Sequence, residues 1–129
     1  MVISRSDWEA IVEHAREEAP NECCGYAWAR DGRVEGFARA QNEQRSPYGY
    51  RLDAKSQFDA WKRGEEDGYE VIIYHSHPRS PAEPSQQDIN LAYFPEWTQV
   101  IVSLAGEPEM RAWRIADGHV EEEDIHVDG

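Results

Sequence analysis

From its N-terminus the chain first shows a helical period. Trp8, Ile11, Val12 and Ala15 recur at i, i+3, i+4 and i+7, the spacing of one helix face. Ser6-Asp7-Trp8-Glu9 carries a capping-box pattern at the start, and the helix should end before Pro20. His14 is expected on the polar, solvated side. The pattern then becomes strand-like. Cys23 to Arg30 reads as a strand, Asp31-Gly32 as a hairpin turn and Arg33 to Ala40 as the returning strand. Gln41 to Gly49 is polar, contains Pro47 and reads as a loop. Asp53 should cap a second helix with Phe58 and Trp61 on its apolar side, weakened near its end by Gly64. After the turn-like Asp67-Gly68, Val71 to His77 is β-branched and aromatic. Both faces of its first half are apolar, the mark of a central strand. A short helix from Ser85 ends at Phe94-Pro95. Strands follow at Thr98 to Leu104, Met110 to Ile115 and, after Asp117-Gly118, His119 to Ile125. There is no repeat, low-complexity tract or linker, so residues 1–129 are expected to form a single α/β domain.

The chemistry concentrates where the central strand ends. His75-Ser76-His77-Pro78 is followed by Ser85-Gln86-Gln87-Asp88, which reads H-x-H-x₇-S-x₂-D. Side chains at i and i+2 share a strand face, so His75 and His77 point the same way. Pro78 cannot donate to a ladder and marks where pairing stops. The loop from Pro78 to Pro84 holds three prolines and is stiff. Beyond it, Ser85 with an acid three residues on opens a helix, and Asp88 falls in the first turn, near enough to be a third ligand. Each part also has an ordinary reading: an isolated His-x-His is commonly structural or solvent-facing, and Ser85 with Asp88 can be only a capping box. A capping Ser can still aim its hydroxyl at a metal-site water. Three protein ligands with the fourth position left to water is the pattern of catalytic zinc.

These residues resemble the JAMM (MPN-plus) metalloprotease motif, an upstream Glu followed by H-x-H-x₇-S-x₂-D. Glu22 in Pro20-Asn21-Glu22-Cys23-Cys24-Gly25 matches the upstream Glu. Asn42, Ser46-Pro47-Tyr48 and Asp53 are similar to the small prokaryotic members. The resemblance implies a cytidine-deaminase-like α/β/α sandwich with a mixed central sheet. It also implies zinc hydrolysis of a peptide or isopeptide bond after the C-terminal Gly-Gly of a ubiquitin-like or sulfur-carrier protein. Carried over by position, His75, His77 and Asp88 would bind one zinc, Glu22 would be the general acid/base and Ser85 would stabilise the oxyanion. At 129 residues the chain is close to the bare core of the family, similar to bacterial members that release cysteine from a sulfur carrier. Archaeal members that remove ubiquitin-like modifiers from lysine are the alternative. A non-catalytic scaffold and a structural zinc domain with four protein ligands are further readings.

Composition narrows the classes. The net charge of −13 argues against nucleic acid as partner, since phosphate binding needs a basic surface. No apolar run suffices to span a membrane and the N-terminus has no signal-peptide pattern, so a soluble, cytoplasmic protein is expected. Cys23 and Cys24 are the only cysteines; adjacent cysteines rarely pair, and reduced thiols alternating across a strand are expected. Cytidine deamination would need H-x-E with P-C-x-x-C, and the chain has neither. No dimer seam is evident, so a homo-oligomer is possible but not predicted.

Overall fold

The computed structural model describes residues 1–129. Its elements run β1 (Val2–Ser4), α1 (Arg5–Glu18), β2 (Cys24–Arg30), β3 (Arg33–Ala40), α2 (Ala54–Glu65), β4 (Glu70–His77), α3 (Gln86–Asn90), β5 (Thr98–Ser103), β6 (Glu109–Ala116), β7 (His119–Glu123) and β8 (His126–Asp128). All strands join one sheet in the order β7-β6-β5-β4-β2-β3-β1-β8. The sheet is mixed: β4–β5, β1–β3 and β1–β8 are parallel, and the remaining pairs antiparallel. β4 lies between β2 and β5, as its two apolar faces require.

Strand alternation divides the core between the sheet's faces. Ile11, Val12 and Ala15 of α1 pack on Cys23, Ala27, Ala29, Ile72, Tyr74, Val100 and Val102. On the other face Ala60 of α2 meets Cys24, Tyr26, Val71, Ile73 and Trp97. The result is the α/β/α layering expected. The cysteines are free and buried, and sit on opposite faces. Gly25 pairs with Tyr74 across β2 and β4, and a Cβ there would collide with the Tyr74 ring. The glycine lets that ring lie flat across the neighbouring strand.

Five expectations are corrected. The helix from Ser85 is shorter than expected, ending at Asn90 with Leu91 as its C-cap and not at Phe94-Pro95. Helix α1 begins earlier than Ser6: Ser4 is the N-cap, and its Oγ accepts the Asp7 N–H at 3.0 Å. His14 is not solvated. Three residues beyond Ile11 it falls on the inner face, 3 % exposed, with Nδ1 2.7 Å from the Tyr74 hydroxyl. Phe58 and Trp61 are not under α2 but 57 % and 40 % exposed, stacked on each other. The small Ala60 makes the buried contact instead, which lets the helix approach the sheet closely. Finally, β7 stops at Glu123. Ile125 packs against the larger core, and His126–Asp128 pair in parallel with β1 at the opposite edge.

Candidate metal centre

The ladder of β4 places the two histidines. Val71, Ile73, His75 and His77 share a face, and the last two project beyond the apolar floor where the strand ends. Both rings are buried, with His75 Nε2 3.2 Å from His77 Nε2. The Pro78–Pro84 loop is fixed by its carbonyls: Ser80 accepts from Ser103 Oγ at 2.6 Å, Pro81 from His77 Nδ1 at 2.8 Å and Ala82 from Trp113 Nε1 at 2.9 Å. It delivers α3 with its capping box complete. Ser85 Oγ accepts the Asp88 N–H at 3.1 Å, and Asp88 Oδ2 accepts the Ser85 N–H at 2.9 Å. The box swings the Asp88 carboxylate back towards β4, where Oδ2 lies 3.2 Å from His75 Nε2 and 3.1 Å from His77 Nε2. The cap and the site are therefore one geometry, and the ordinary reading of Ser85 and Asp88 does not compete with the chemical one.

These donors suit a small cation. Pro81 O can only accept, so the neutral His77 ring carries its proton on Nδ1 and turns a bare Nε2 lone pair towards a carboxylate oxygen. Such lone pairs repel unless a proton or cation lies between them. The three edges, 3.1–3.2 Å, are near the roughly 3.3 Å that separates donors about 2.0–2.1 Å from one tetrahedral ion. The titration of the groups agrees. Burial opposes charge on His77, but the bonds to Asp88 and Pro81 outweigh it and raise its pKa. With a proton on the imidazole Nε2 atoms in place of the cation, burial opposes ionisation of Asp88, yet N–H donation from both rings holds it well below the ordinary carboxylate range. Burial lowers His75. His75, His77 and Asp88 could thus hold a metal ion. Glu22 is the other carboxylate in reach, with an oxygen within 4.8 Å of both imidazoles.

Glu22 lies just ahead of β2 and is 5 % exposed. Burial raises its pKa to about 8, with the nearby His77 pulling down and Asp88 pushing up. Its Oε1 and the Nδ1 of His75 are the two buried side-chain atoms without a hydrogen-bond partner, and both belong to this site. Concentrating unsatisfied polar atoms in one place is costly and points to a ligand or a reaction. All five residues singled out in the sequence converge here, with Ser85 at the exposed rim.

Several participants have no local sequence signal. Tyr50 stacks on His75 with centroids 4.3 Å apart. It also lines a groove of about 410 Å³, floored by Leu52, Ile73, Phe94 and Trp97. Beyond Glu22 a more polar hollow of about 300 Å³ is bounded by Asn21, Asn42 and Arg45. Asn42 bonds the Glu22 carbonyl at 3.1 Å.

The fold and the donor set define a class, the hydrolases built on a JAB/MPN sheet with a metal-binding rim. The family model for prokaryotic homologs of the JAB domain matches residues 4–116, and the chain belongs to that family as a small, JAMM-type hydrolase. It is 39 % identical over 133 residues to the CysO-cysteine peptidase of Mycobacterium tuberculosis, covering 98 % of this chain and 91 % of that protein. It is 33 % identical over 120 residues to a probable TtuB-protein conjugate cleaving protease of Thermus thermophilus, covering 92 % and 78 %. Among solved structures, protein DSY2949 of Desulfitobacterium hafniense superposes with a TM-score of 0.85 at 33 % identity, covering 98 % of this chain and 92 % of that one. The fold is shared with AF2198, a JAB1/MPN domain protein of Archaeoglobus fulgidus, at a TM-score of 0.63 and 21 % identity over 98 % of both chains.

Proposed function

We propose that the protein is a zinc-dependent hydrolase that cuts the bond after the C-terminal Gly-Gly of a ubiquitin-like or sulfur-carrier protein and releases cysteine. The carrying observation is the triangle of His75 Nε2, His77 Nε2 and Asp88 Oδ2, with the buried, unpartnered Glu22 oxygen beside it. His75, His77 and Asp88 would hold one zinc per chain, leaving a fourth position for water. Bound there, zinc supplies polarisation of the scissile carbonyl and lowers the pKa of water to about 7.

The chain's own residues supply the rest. Burial raises the Glu22 pKa to about 8 while the site holds no cation; beside a bound cation its carboxylate form would be favoured, and it would take a proton from the attacking water and return it to the leaving amine. Ser85 Oγ accepts from the Asp88 N–H, so its own O–H remains available to the developing oxyanion. Tyr50 covers His75 and limits water at the ring. The groove beyond Tyr50 offers an apolar wall to the residues that precede the glycines. The naming of the mycobacterial relative as a CysO-cysteine peptidase supports cysteine as the leaving group. The reaction belongs in the cytoplasm, where thiols such as Cys23 and Cys24 stay reduced.

A second reading, removal of a ubiquitin-like modifier from lysine, is favoured by the Thermus relative's naming as a conjugate-cleaving protease. Intact-mass analysis of a Gly-Gly carrier bearing either a C-terminal cysteine or a lysine isopeptide separates the two. Loss of cysteine alone supports the first reading, and cleavage of the lysine adduct the second. Failure to cut either with zinc present would overturn both.

A further inference from the structure

We infer that Asn42 is a positioning residue for Glu22, an inference that rests on the proton-transfer role proposed for that carboxylate. Glu22 precedes the β2 ladder, so its backbone groups must find partners elsewhere. Its N–H donates to the Ser46 carbonyl at 2.9 Å, and its carbonyl accepts from Asn42 Nδ2 at 3.1 Å. The next N–H, of Cys23, donates to Ser76 Oγ at 2.7 Å, and the Ser76 N–H returns to the Cys23 carbonyl at 3.1 Å. Ser76 is the residue between the two histidines. The acid and the imidazoles are therefore locked together on one side by Ser76, and on the other by the loop that Asn42 organises.

Asn42 spends its whole hydrogen-bonding capacity there. Nδ2 also donates to the Gly49 carbonyl at 3.0 Å, and Oδ1 accepts the Gln44 and Arg51 N–H groups, each at 3.0 Å. Those three bonds shape the loop that carries Tyr50 over His75. The fourth leaves the loop and ends on Glu22, which turn formation alone does not require. Glu22 Oε1 has no partner, so that oxygen is placed from the backbone. A proton carrier displaced by a fraction of an ångström loses rate steeply.

The test is Asn42→Asp, which keeps the two accepted bonds and removes both donated ones. Zinc content and KM should stay within about threefold of wild type, while kcat falls about 10–100-fold. Exchange of the Glu22 amide, whose acceptor lies on the loop, should quicken at least about tenfold. Asn42→Ala, which adds no charge, should show the same kcat loss with a lower melting temperature. In a Glu22→Gln background, Asn42→Asp should cost less than about threefold in single-turnover rate, since no proton carrier is left to misplace. Wild-type kcat in Asn42→Asp, or an equal loss in both backgrounds, would overturn the inference. If the wild-type protein cuts no Gly-Gly adduct, the functional reading fails separately. Amide exchange then decides: an unchanged Glu22 rate overturns the positioning role, and a faster one supports it.

Discussion

At the scale of single residues, Asp88 and Glu22 show how environment divides the work between two carboxylates. Asp88 is ringed by imidazoles and a backbone N–H and stays ionised, whereas Glu22 is buried without a partner, which raises its pKa to about 8 while the site holds no cation. The proposed roles predict different outcomes on substitution. Glu22→Gln should retain stoichiometric metal by elemental analysis and lower turnover by about 10²–10⁴-fold. Full activity in that variant would remove Glu22 from the mechanism. His77→Ala should lose most of the metal, and turnover with it, because it deletes one corner of the triangle. Stoichiometric metal in that variant would show that the ligand set is different.

At the scale of elements, the central strand and the α3 cap carry the site, and both were legible because their signals are local. The i, i+2 histidines share a face by strand period alone, and the Ser85–Asp88 box follows from four consecutive residues. The hairpin was equally readable: Asp31 and Gly32 take φ of 52° and 78° between β2 and β3. What the sequence did not disclose depends on partners distant in the chain. Tyr50 falls just past the Gln41–Gly49 loop and carries no signal until β4 brings His75 beneath it. Asn42 belongs to the segment that resembles the small prokaryotic members, but what it does shows only when the loop folds back on Glu22. His14 sits at the border of α1's apolar stripe, and only the Tyr74 hydroxyl explains its burial. β8 is three residues long, too short for a period, and its pairing with β1 is decided by Ile125 docking in the core. The Gly25–Tyr74 pair gives a prediction at this scale. Gly25→Ala should destabilise the fold by about 1–3 kcal/mol through overpacking against the ring, read as a lower denaturant midpoint. An unchanged midpoint would mean that the ring has room to move.

At the scale of the whole molecule, two core clusters sandwich the sheet independently of the metal rim. Chelation should therefore abolish activity and lower the melting temperature while leaving the secondary structure intact. Unfolding on chelation would instead mark a structural metal. The buried His14 adds a pH dependence. Burial, with Arg39 nearby and Glu17 opposing, lowers its pKa to about 4 from the model-peptide value of 6.5. The folded state keeps the ring neutral while the unfolded chain takes up a proton below pH 6.5. Its contribution is thus complete above pH 6.5 and is lost as pH falls towards 4. After solvent screening that amounts to about 1–2 kcal/mol. His14→Gln should flatten the stability curve over that interval in denaturant titrations, and an identical slope would reject the assignment.

His75, His77 and Asp88 are proposed as a catalytic metal site served by Glu22. The most direct measurement is a zinc titration of the metal-free protein, following bound metal and cleavage of a Gly-Gly-cysteine carrier together in wild type and Glu22→Gln. Both proteins should bind one zinc per chain, with cleavage rising in step with occupancy only in the wild type. Cleavage by the metal-free protein, or equal cleavage by Glu22→Gln, would contradict it.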